Sequence, residues 1–294
     1  MTSPSVEMLI LGARGQVGRA LAAESNRRGL KVRALGHAEC DISDPDAVTR
    51  AVEGARWVVN CAAYTAVDRA ETDDETAFRI NADGARNVAI ACAAASIPLV
   101  HISTDYIFDG ENKTPTHELD VARPLNVYGQ SKLDGELAVR AQRSSHFILR
   151  TSWVFSAHGE NFVKTILRLA AGSSPLRIVD DQVGGPTAAD DIAKAILDMV
   201  SVGSKPGFND WGTYHFSGAP PVSWFEFAQA IVEATVSGQS KQVLPIATED
   251  FPRPARRPKN SVLDCGRIRE VFGIDQPNWR IPLQNVLQEL AASP

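Results

Sequence analysis

Val6-Glu7-Met8-Leu9-Ile10-Leu11-Gly12-Ala13-Arg14-Gly15-Gln16-Val17-Gly18 decides the fold. Its first six residues are a short apolar run with β-branched members, which reads as a strand. Glycines at 12, 15 and 18 follow at once, and a helical apolar pattern runs from Gln16 to Arg28. Strand, glycine turn and helix make the first βα unit of a dinucleotide-binding fold. Gly12 permits the tight turn. Gly15 lets the backbone approach a pyrophosphate, and Gly18 lets the helix pack close to the sheet. The helix N-terminus then offers its N–H groups to the phosphates, with Gln16 and Val17 in its first turn. The spacing is Gly-x-x-Gly-x-x-Gly, not Gly-x-Gly-x-x-Gly, and a purely structural turn is the competing reading.

Working outward, Lys31 to Leu35 is the second strand. Its end reads Leu35-Gly36-His37, with no acidic residue to meet a ribose 2′-hydroxyl until Glu39. Arg14 and Arg33 are candidates to meet a 2′-phosphate, which favours NADPH and leaves NADH open. The alternative is that both are solvated. Asp41-Ile42 leads into Ser43-Asp44-Pro45, an N-cap with proline in the first turn of a helix to about Glu53. Trp57 to Cys61 is the third strand. The small residues Ala62 and Ala63, then Tyr64, leave room for a ligand across its carboxyl end. The acidic run Asp68, Glu71, Asp73, Asp74, Glu75 introduces a long helix to about Ser96 and reads mostly as a solvated face. Leu99 to Ser103 is the fourth strand and delivers Thr104-Asp105-Tyr106.

A loop with Gly110, Pro115 and Pro124 leads to Asn126-Val127-Tyr128-Gly129-Gln130-Ser131-Lys132. Four-residue spacing on a helix stacks the Tyr128 phenol and the Lys132 ammonium on one face. The ammonium favours phenolate and is expected to lower the tyrosine pKa from about 10. Such a phenol exchanges a proton with a substrate oxygen. Phe147 to Thr151 is the next strand, ending in Ser152-Trp153. Then come a helix over 161–171, a strand over 176–179 and a loop from Asp180 to Thr187. Thr187 or Asp190 caps a helix to about Val200. A short strand at 214–216, a helix capped by Ser223, an Arg- and Pro-rich segment over 251–260 and a last helix over 283–292 complete the chain.

The expected architecture is α/β: a Rossmann-like doubly wound parallel sheet with a smaller C-terminal α/β substrate-binding lobe. Residues 1–152 plus about 187–205 form the dinucleotide-binding domain. Residues about 153–186 and 206–294 form the lobe, with the site in the cleft between them. The 294 residues are 44% hydrophobic and 22% charged, as in a water-soluble globular protein. A net charge of −5 argues against nucleic acid as the main partner. The apolar run at the start is too short for a signal or a span, so no membrane partner is expected. Cys40, Cys61, Cys92 and Cys265 form no CxxC pair, which predicts reduced thiols, no metal and a cytoplasmic protein.

Three features together resemble the extended short-chain dehydrogenases/reductases: the glycine turn, Thr104 after the fourth strand, and Tyr128-x-x-x-Lys132. Six longer blocks resemble, more closely, the dTDP-4-dehydrorhamnose reductase family. They are Asn60 to Asp68, Ser103 to Asp109, Pro124 to Lys132, Arg150 to Val154, Asp181-Gln182 with Gly185 to Thr187, and Pro254 to Pro258 with Asn260-Ser261.

The resemblance implies NADPH- or NADH-dependent reduction of the 4-keto group of dTDP-6-deoxy-L-lyxo-4-hexulose to dTDP-L-rhamnose, a step of carbohydrate biosynthesis. It implies Tyr128 as general acid, Lys132 on the nicotinamide ribose and Thr104 bonded to the reacting oxygen. Asp105, Trp153 and Arg257 would meet the sugar nucleotide. Asp41, Ile42, Ala62, Ala63 and Tyr64 would line the cofactor. For Arg256 and Arg257 a loop-stabilising ion pair is the equal alternative. The family has metal-bridged dimers and members without them, so a homodimer stays open. Also open are another nucleotide-sugar 4-ketoreductase, an epimerase or dehydratase that recycles its nicotinamide, and a non-catalytic NADP-binding regulatory subunit.

Overall fold

The computed structural model describes residues 6–235 and 241–292. In chain order the strands are β1 (Val6–Leu11), β2 (Val32–Leu35), β3 (Ala55–Asn60), β4 (Leu99–Thr104), β5 (His146–Thr151), β6 (Val154–Phe155), β7 (Leu176–Val179), β8 (Val183–Gly184), β9 (Thr187–Ala188), β10 (Gly212–His215), β11 (Val222–Ser223) and β12 (Val243–Ile246). The α-helices are α1 (Gln16–Arg27), α2 (Pro45–Val52), α3 (Val67–Ala70), α4 (Asp74–Phe78), α5 (Ala85–Ala94), α6 (Val127–Gln142), α7 (Phe162–Ala170), α8 (Ala189–Gly203), α9 (Trp224–Thr235), α10 (Gly266–Phe272) and α11 (Arg280–Ala292).

Six strands form one parallel sheet in the order β2-β1-β3-β4-β5-β10. Side chains alternate across it, as the two-residue period of a strand requires. Met8 and Ile10 face a core built with Ile192, Ile196 and Met199 of α8. Leu9 and Leu11 face the other core, with Val48 of α2 and Val88 of α5. Burial on both faces explains why the strands read as continuous apolar runs. Each such side chain contributes about 1.5–3 kcal/mol. The strand ends are in step: Leu11 pairs with Leu35 and with Asn60, and Thr104 pairs with Thr151. Their following loops therefore open on one edge. The order reverses between β1 and β3, and ligands bind at that crevice in doubly wound sheets.

Three local readings change. The helix expected from the acidic run to Ser96 is divided into α3, α4, a π-helical turn at Arg79–Gly84, and α5. Its acids are not mainly a solvated face: Glu71 accepts the Val127 N–H at 2.9 Å and Asp73 accepts the Tyr64 phenol at 3.0 Å. Neither Thr187 nor Asp190 caps α8, which starts from Ala188 with no side-chain cap. Thr187 sits on β9, where its hydroxyl donates to the Gly185 carbonyl and accepts from Gly218 N–H. The span 206–294 also returns to the main sheet, because β10 pairs with β5 and α10 packs on the same side.

The rest of the C-terminal half builds a second core from Phe155, Ile166, Phe227, Ile231, Trp279 and Val286. Three two-stranded pairs edge it: β7 with β12, β8 with β11 and β6 with β9. Ser223 caps α9 as expected: its hydroxyl accepts from Glu226 N–H while Glu226 accepts from Ser223 N–H, a reciprocal capping box. Among the described residues no helix is long and apolar enough to cross a membrane.

Candidate active site

A cavity of about 480 Å³ opens at the carboxyl edge of the sheet. Gly15, Gln16, Val17, Cys61 and Ala63 line one part of it. Thr104, Asp105, Tyr106, Tyr128, Lys132, Thr151, Trp153 and Trp224 line another.

The glycine loop fits a dinucleotide. Gly12 has φ +73°, and a Cβ there would sit 2.5 Å from the Ala62 backbone nitrogen. A Cβ on Gly18 would sit 2.4 Å from the Gly12 carbonyl oxygen. The turn is thus pressed between β3 and its own helix, which only glycine permits. Gly15, the N-cap of α1, supplies no side chain to its N–H groups, so they remain available to a phosphate. Gln16 ties the loop to the second lobe, accepting from Ser156 Oγ and Asn161 Nδ2 at 2.9 Å each.

At the end of β2, Arg14 donates to Glu39 at 2.7 Å, and Glu39 accepts the Gly36 N–H at 2.9 Å. Arg33 does not join them. Its guanidinium donates to the Ala51 and Glu53 carbonyls, satisfying the C-terminal end of α2. Asp41 accepts from the Ser43 N–H and hydroxyl, and Ile42 is buried in the core. Tyr64 turns its phenol to Asp73 while Asn81 holds its backbone N–H and carbonyl. None of Asp41, Ile42, Ala62 and Tyr64 lines the cavity itself.

Tyr128 reaches the cavity because of how α6 begins. Asn126 caps the helix, accepting Gly129 N–H at 2.7 Å, and donates to the Arg256 carbonyl at 2.7 Å. A Cβ on Gly129 would lie 2.1 Å from the Tyr106 carbonyl oxygen, so the helix starts in direct contact with the turn after β4. That contact sets the Tyr128 ring edge-on to Tyr106 at 5.9 Å, next to Thr104.

Lys132 is on the same face but does not act on the phenol as expected. Its ammonium donates to the Ile102 carbonyl at 2.7 Å. Burial dominates both groups. It pushes Tyr128 up to about 12, opposed by a hydrogen bond with Thr104. It brings Lys132 down to about 8, opposed by the charge of Glu136. The expected lowering of the tyrosine pKa is therefore corrected: desolvation and the nearby Asp105 raise it, only Thr104 opposes them, and the Lys132 ammonium is spent on the Ile102 carbonyl.

Thr104 donates to Asp105 at 2.9 Å. Burial raises the Asp105 carboxyl to about 7, with the Thr104 and Ser261 hydroxyls opposing. The Asp105 Oδ2 and Thr151 Oγ1 atoms are buried without a hydrogen-bond partner, in residues that line the cavity. Unpaired buried polar atoms are costly, and a polar ligand would satisfy them.

Trp153 adopts φ +47°, strained backbone for a non-glycine residue, and stacks on Trp224 with ring centroids 3.4 Å apart. Trp224 escaped the sequence reading, since a tryptophan after an N-cap looks like any core residue of an amphipathic helix. Arg257 does not line the cavity. Asp68 holds it in a bidentate pair at 3.0 Å, and Arg253 joins at 2.9 Å. This ion pair ties the C-terminal arm to the loop after β3.

The model of the RmlD substrate binding domain matches residues 6–292. The dTDP-4-dehydrorhamnose reductase of Sinorhizobium fredii is 40% identical over 93% of this chain and 94% of its own length. That of Escherichia coli is 36% identical, covering 97% and 98%. Two crystal structures of this reductase superpose with TM-scores of 0.90. One, from Clostridium acetobutylicum, is 37% identical, and the other, from Bacillus anthracis in complex with NADP, is 36% identical. Each covers 97% of this chain and 99% of the solved one. With this match, the glycine cradle and the Thr104, Tyr128 and Lys132 cluster find one explanation: the chain belongs to the dTDP-4-dehydrorhamnose reductase family.

Proposed function

We propose that the protein reduces the 4-keto group of dTDP-6-deoxy-L-lyxo-4-hexulose to give dTDP-L-rhamnose, with NADPH as the preferred reductant. The observation that carries the reading is that Thr104, Tyr128 and Lys132 line one cavity with the pyrophosphate loop. Bound dihydronicotinamide supplies a hydride to the carbonyl carbon. Negative charge then builds on the carbonyl oxygen, and the pocket must stabilise and neutralise it. Tyr128 gives its phenolic proton to that oxygen. A phenol whose pKa burial raises to about 12 stays protonated at neutral pH, which suits a donor in the reducing direction. The Thr104 hydroxyl lies beside the phenol and opposes that rise. Lys132 provides a buried ammonium for the ribose hydroxyls of the cofactor. Asp105 and the stacked pair Trp153 and Trp224 bind the sugar, one by hydrogen bonds and the other by apolar cover. The free cysteines, three of them buried, fit a cytoplasmic setting.

The test is product analysis with 4-keto nucleotide sugars and both nicotinamides. Substrate-dependent NADPH oxidation giving the rhamnose nucleotide is expected. Tightly held cofactor that is never consumed would instead place the protein among epimerases or dehydratases.

The preference for NADPH rests on Arg14. A 2′-phosphate competes with Glu39 for its guanidinium, and a charge-assisted hydrogen bond is worth roughly 1.5–3 kcal/mol. Arg14→Ala is therefore expected to raise KM for NADPH by about 10–100-fold with little change for NADH. Steady-state kinetics with the two cofactors decide it, and an equal rise in both KM values would remove Arg14 from this role.

A further inference from the structure

The proposed reduction brings together two ligands held by two parts of the chain. The glycine loop and the start of α1 take the cofactor, and Trp153 and Trp224 cover the sugar, all on one cavity. Hydride passes only when its donor and acceptor carbons stand about 3–3.5 Å apart. Some contact must therefore fix one part against the other. We infer that Asn161 is a positioning residue for hydride transfer: through Gln16 it sets the sugar-side tryptophans at a fixed distance from the cofactor loop. The inference rests on the proposed reading of the cavity, with cofactor at the glycine loop and sugar at the tryptophans.

Asn161 ends the loop between β6 and α7, and its side-chain amide serves different partners at its two ends. The Oδ1 atom caps α7, accepting the Lys164 N–H at 3.2 Å. The Nδ2 atom has two hydrogens. It donates to Gln16 Oε1 at 2.9 Å and to the Ser156 carbonyl at 2.8 Å. Gln16 is the first residue of α1, directly after the Gly15 N-cap. Gly159 packs on the same side chain: a Cβ there would sit 3.3 Å from Gln16 Cγ. The loop of the second lobe therefore rests on the turn that meets the pyrophosphate.

From Asn161 the link continues to the sugar side. The next residue, Phe162, opens α7, and Val163 and Ile166 anchor that helix in the second core with no exposed surface. The Phe162 ring lies 4.5 Å from Trp224, and Trp224 stacks on Trp153 at 3.4 Å with the planes 5° apart. Close-packed rings pass a displacement on to one another. Trp153 also holds a strained backbone, φ +47°, which persists only where its surroundings impose it. A shift at Asn161 reaches the indoles, and a misplacement of about 1 Å that starts far from the chemistry costs roughly 10²-fold in rate.

A helix cap alone accounts for Oδ1 and not for Nδ2. An N-cap needs an acceptor, and serine provides one as well as asparagine does. What asparagine adds is the donor that reaches Gln16 across 145 positions of sequence.

Asn161→Ser keeps the cap and loses that donor, so its thermal midpoint is expected within about 3 °C of wild type. Its kcat should fall roughly 10–100-fold, while NADP⁺ and dTDP titrated separately bind within about threefold of wild type, because neither ligand alone needs the other part in place. With NADPH deuterated at the transferred position, the isotope effect on kcat should rise, since the hydride step becomes slower than product release. Gln16→Met removes the acceptor and should lower kcat to a similar degree. The double variant should be no slower than the slower single one, because both changes break one contact. Normal kcat in Asn161→Ser, or losses that multiply in the double variant, would leave Asn161 a helix cap and overturn the inference. In that case a wild type that reduces the 4-keto sugar nucleotide keeps the reductase reading intact. A wild type that turns over no such substrate removes both.

Discussion

Tyr128→Phe is expected to lower turnover by roughly 10²–10⁴-fold while the nicotinamide cofactor still binds. The substitution removes one oxygen and nothing that builds the site. The ring keeps its edge-on contact with Tyr106. The start of α6 is held by Asn126, Glu71 and the contact of Gly129 with the Tyr106 carbonyl, none of which uses the phenol. Lys132 remains anchored at the Ile102 carbonyl. What is lost is the proton that meets the developing charge, so the loss falls on kcat and not on cofactor affinity. NADPH oxidation measures the first and quenching of protein fluorescence by cofactor measures the second. Because burial sets the phenol near 12, its own ionisation should leave no mark on the wild-type pH profile below pH 9. Near-normal turnover in the variant would end the proton-donor role.

The parts of this site legible in the sequence are those whose cause is local. A strand followed by three spaced glycines needs no distant partner to be recognised, and neither does a Tyr and a Lys one helical turn apart. The parts that stayed hidden depend on what lies across the fold. Arg33 looks as available as Arg14 in the sequence, yet the α2 carbonyls claim it. Asp68 reads as one acid in a run, and its partners are the arginines at 253 and 257. The position of Lys132 follows from its spacing, whereas its effect on Tyr128 depends on how dry the cleft is. Gly129 carried a signal that could have been used. A glycine inside a helix costs about 1 kcal/mol relative to alanine, and its presence between Tyr128 and Lys132 marks a close backbone approach.

Behind Lys132, one helical turn along α6, Glu136 is fully buried and bound by Arg150 through two bonds of 2.9 and 2.8 Å. Arg140 adds a third at 2.7 Å. Arg150 is itself 3% exposed at the side chain and lies 3.2 Å from the His215 ring. Burial brings His215 down to about 3, so its imidazole is neutral and accepts from the guanidinium while donating to the Thr116 carbonyl.

Breaking this pair from one side strands a charge in the interior. Glu136→Leu is expected to lower stability by about 3–5 kcal/mol, and the double variant Glu136→Leu with Arg150→Met by clearly less. Urea unfolding followed by tryptophan fluorescence measures both. The pH dependence has a definite sign. Burial raises the Glu136 pKa, but the bond and charge of Arg150 outweigh it and hold the carboxyl below its ordinary value. A depressed folded pKa gives stability that is present above the unfolded value of about 4.3 and lost as pH falls through the folded one. Acid should therefore destabilise the wild type more than the double variant. The same carboxylate favours the ammonium form of Lys132, so the single variant should also weaken cofactor binding as pH rises from 7 to 8. If Glu136→Leu proved no less stable than the double variant, the pair would be ordinary packing and not a charge pair on which α6 depends.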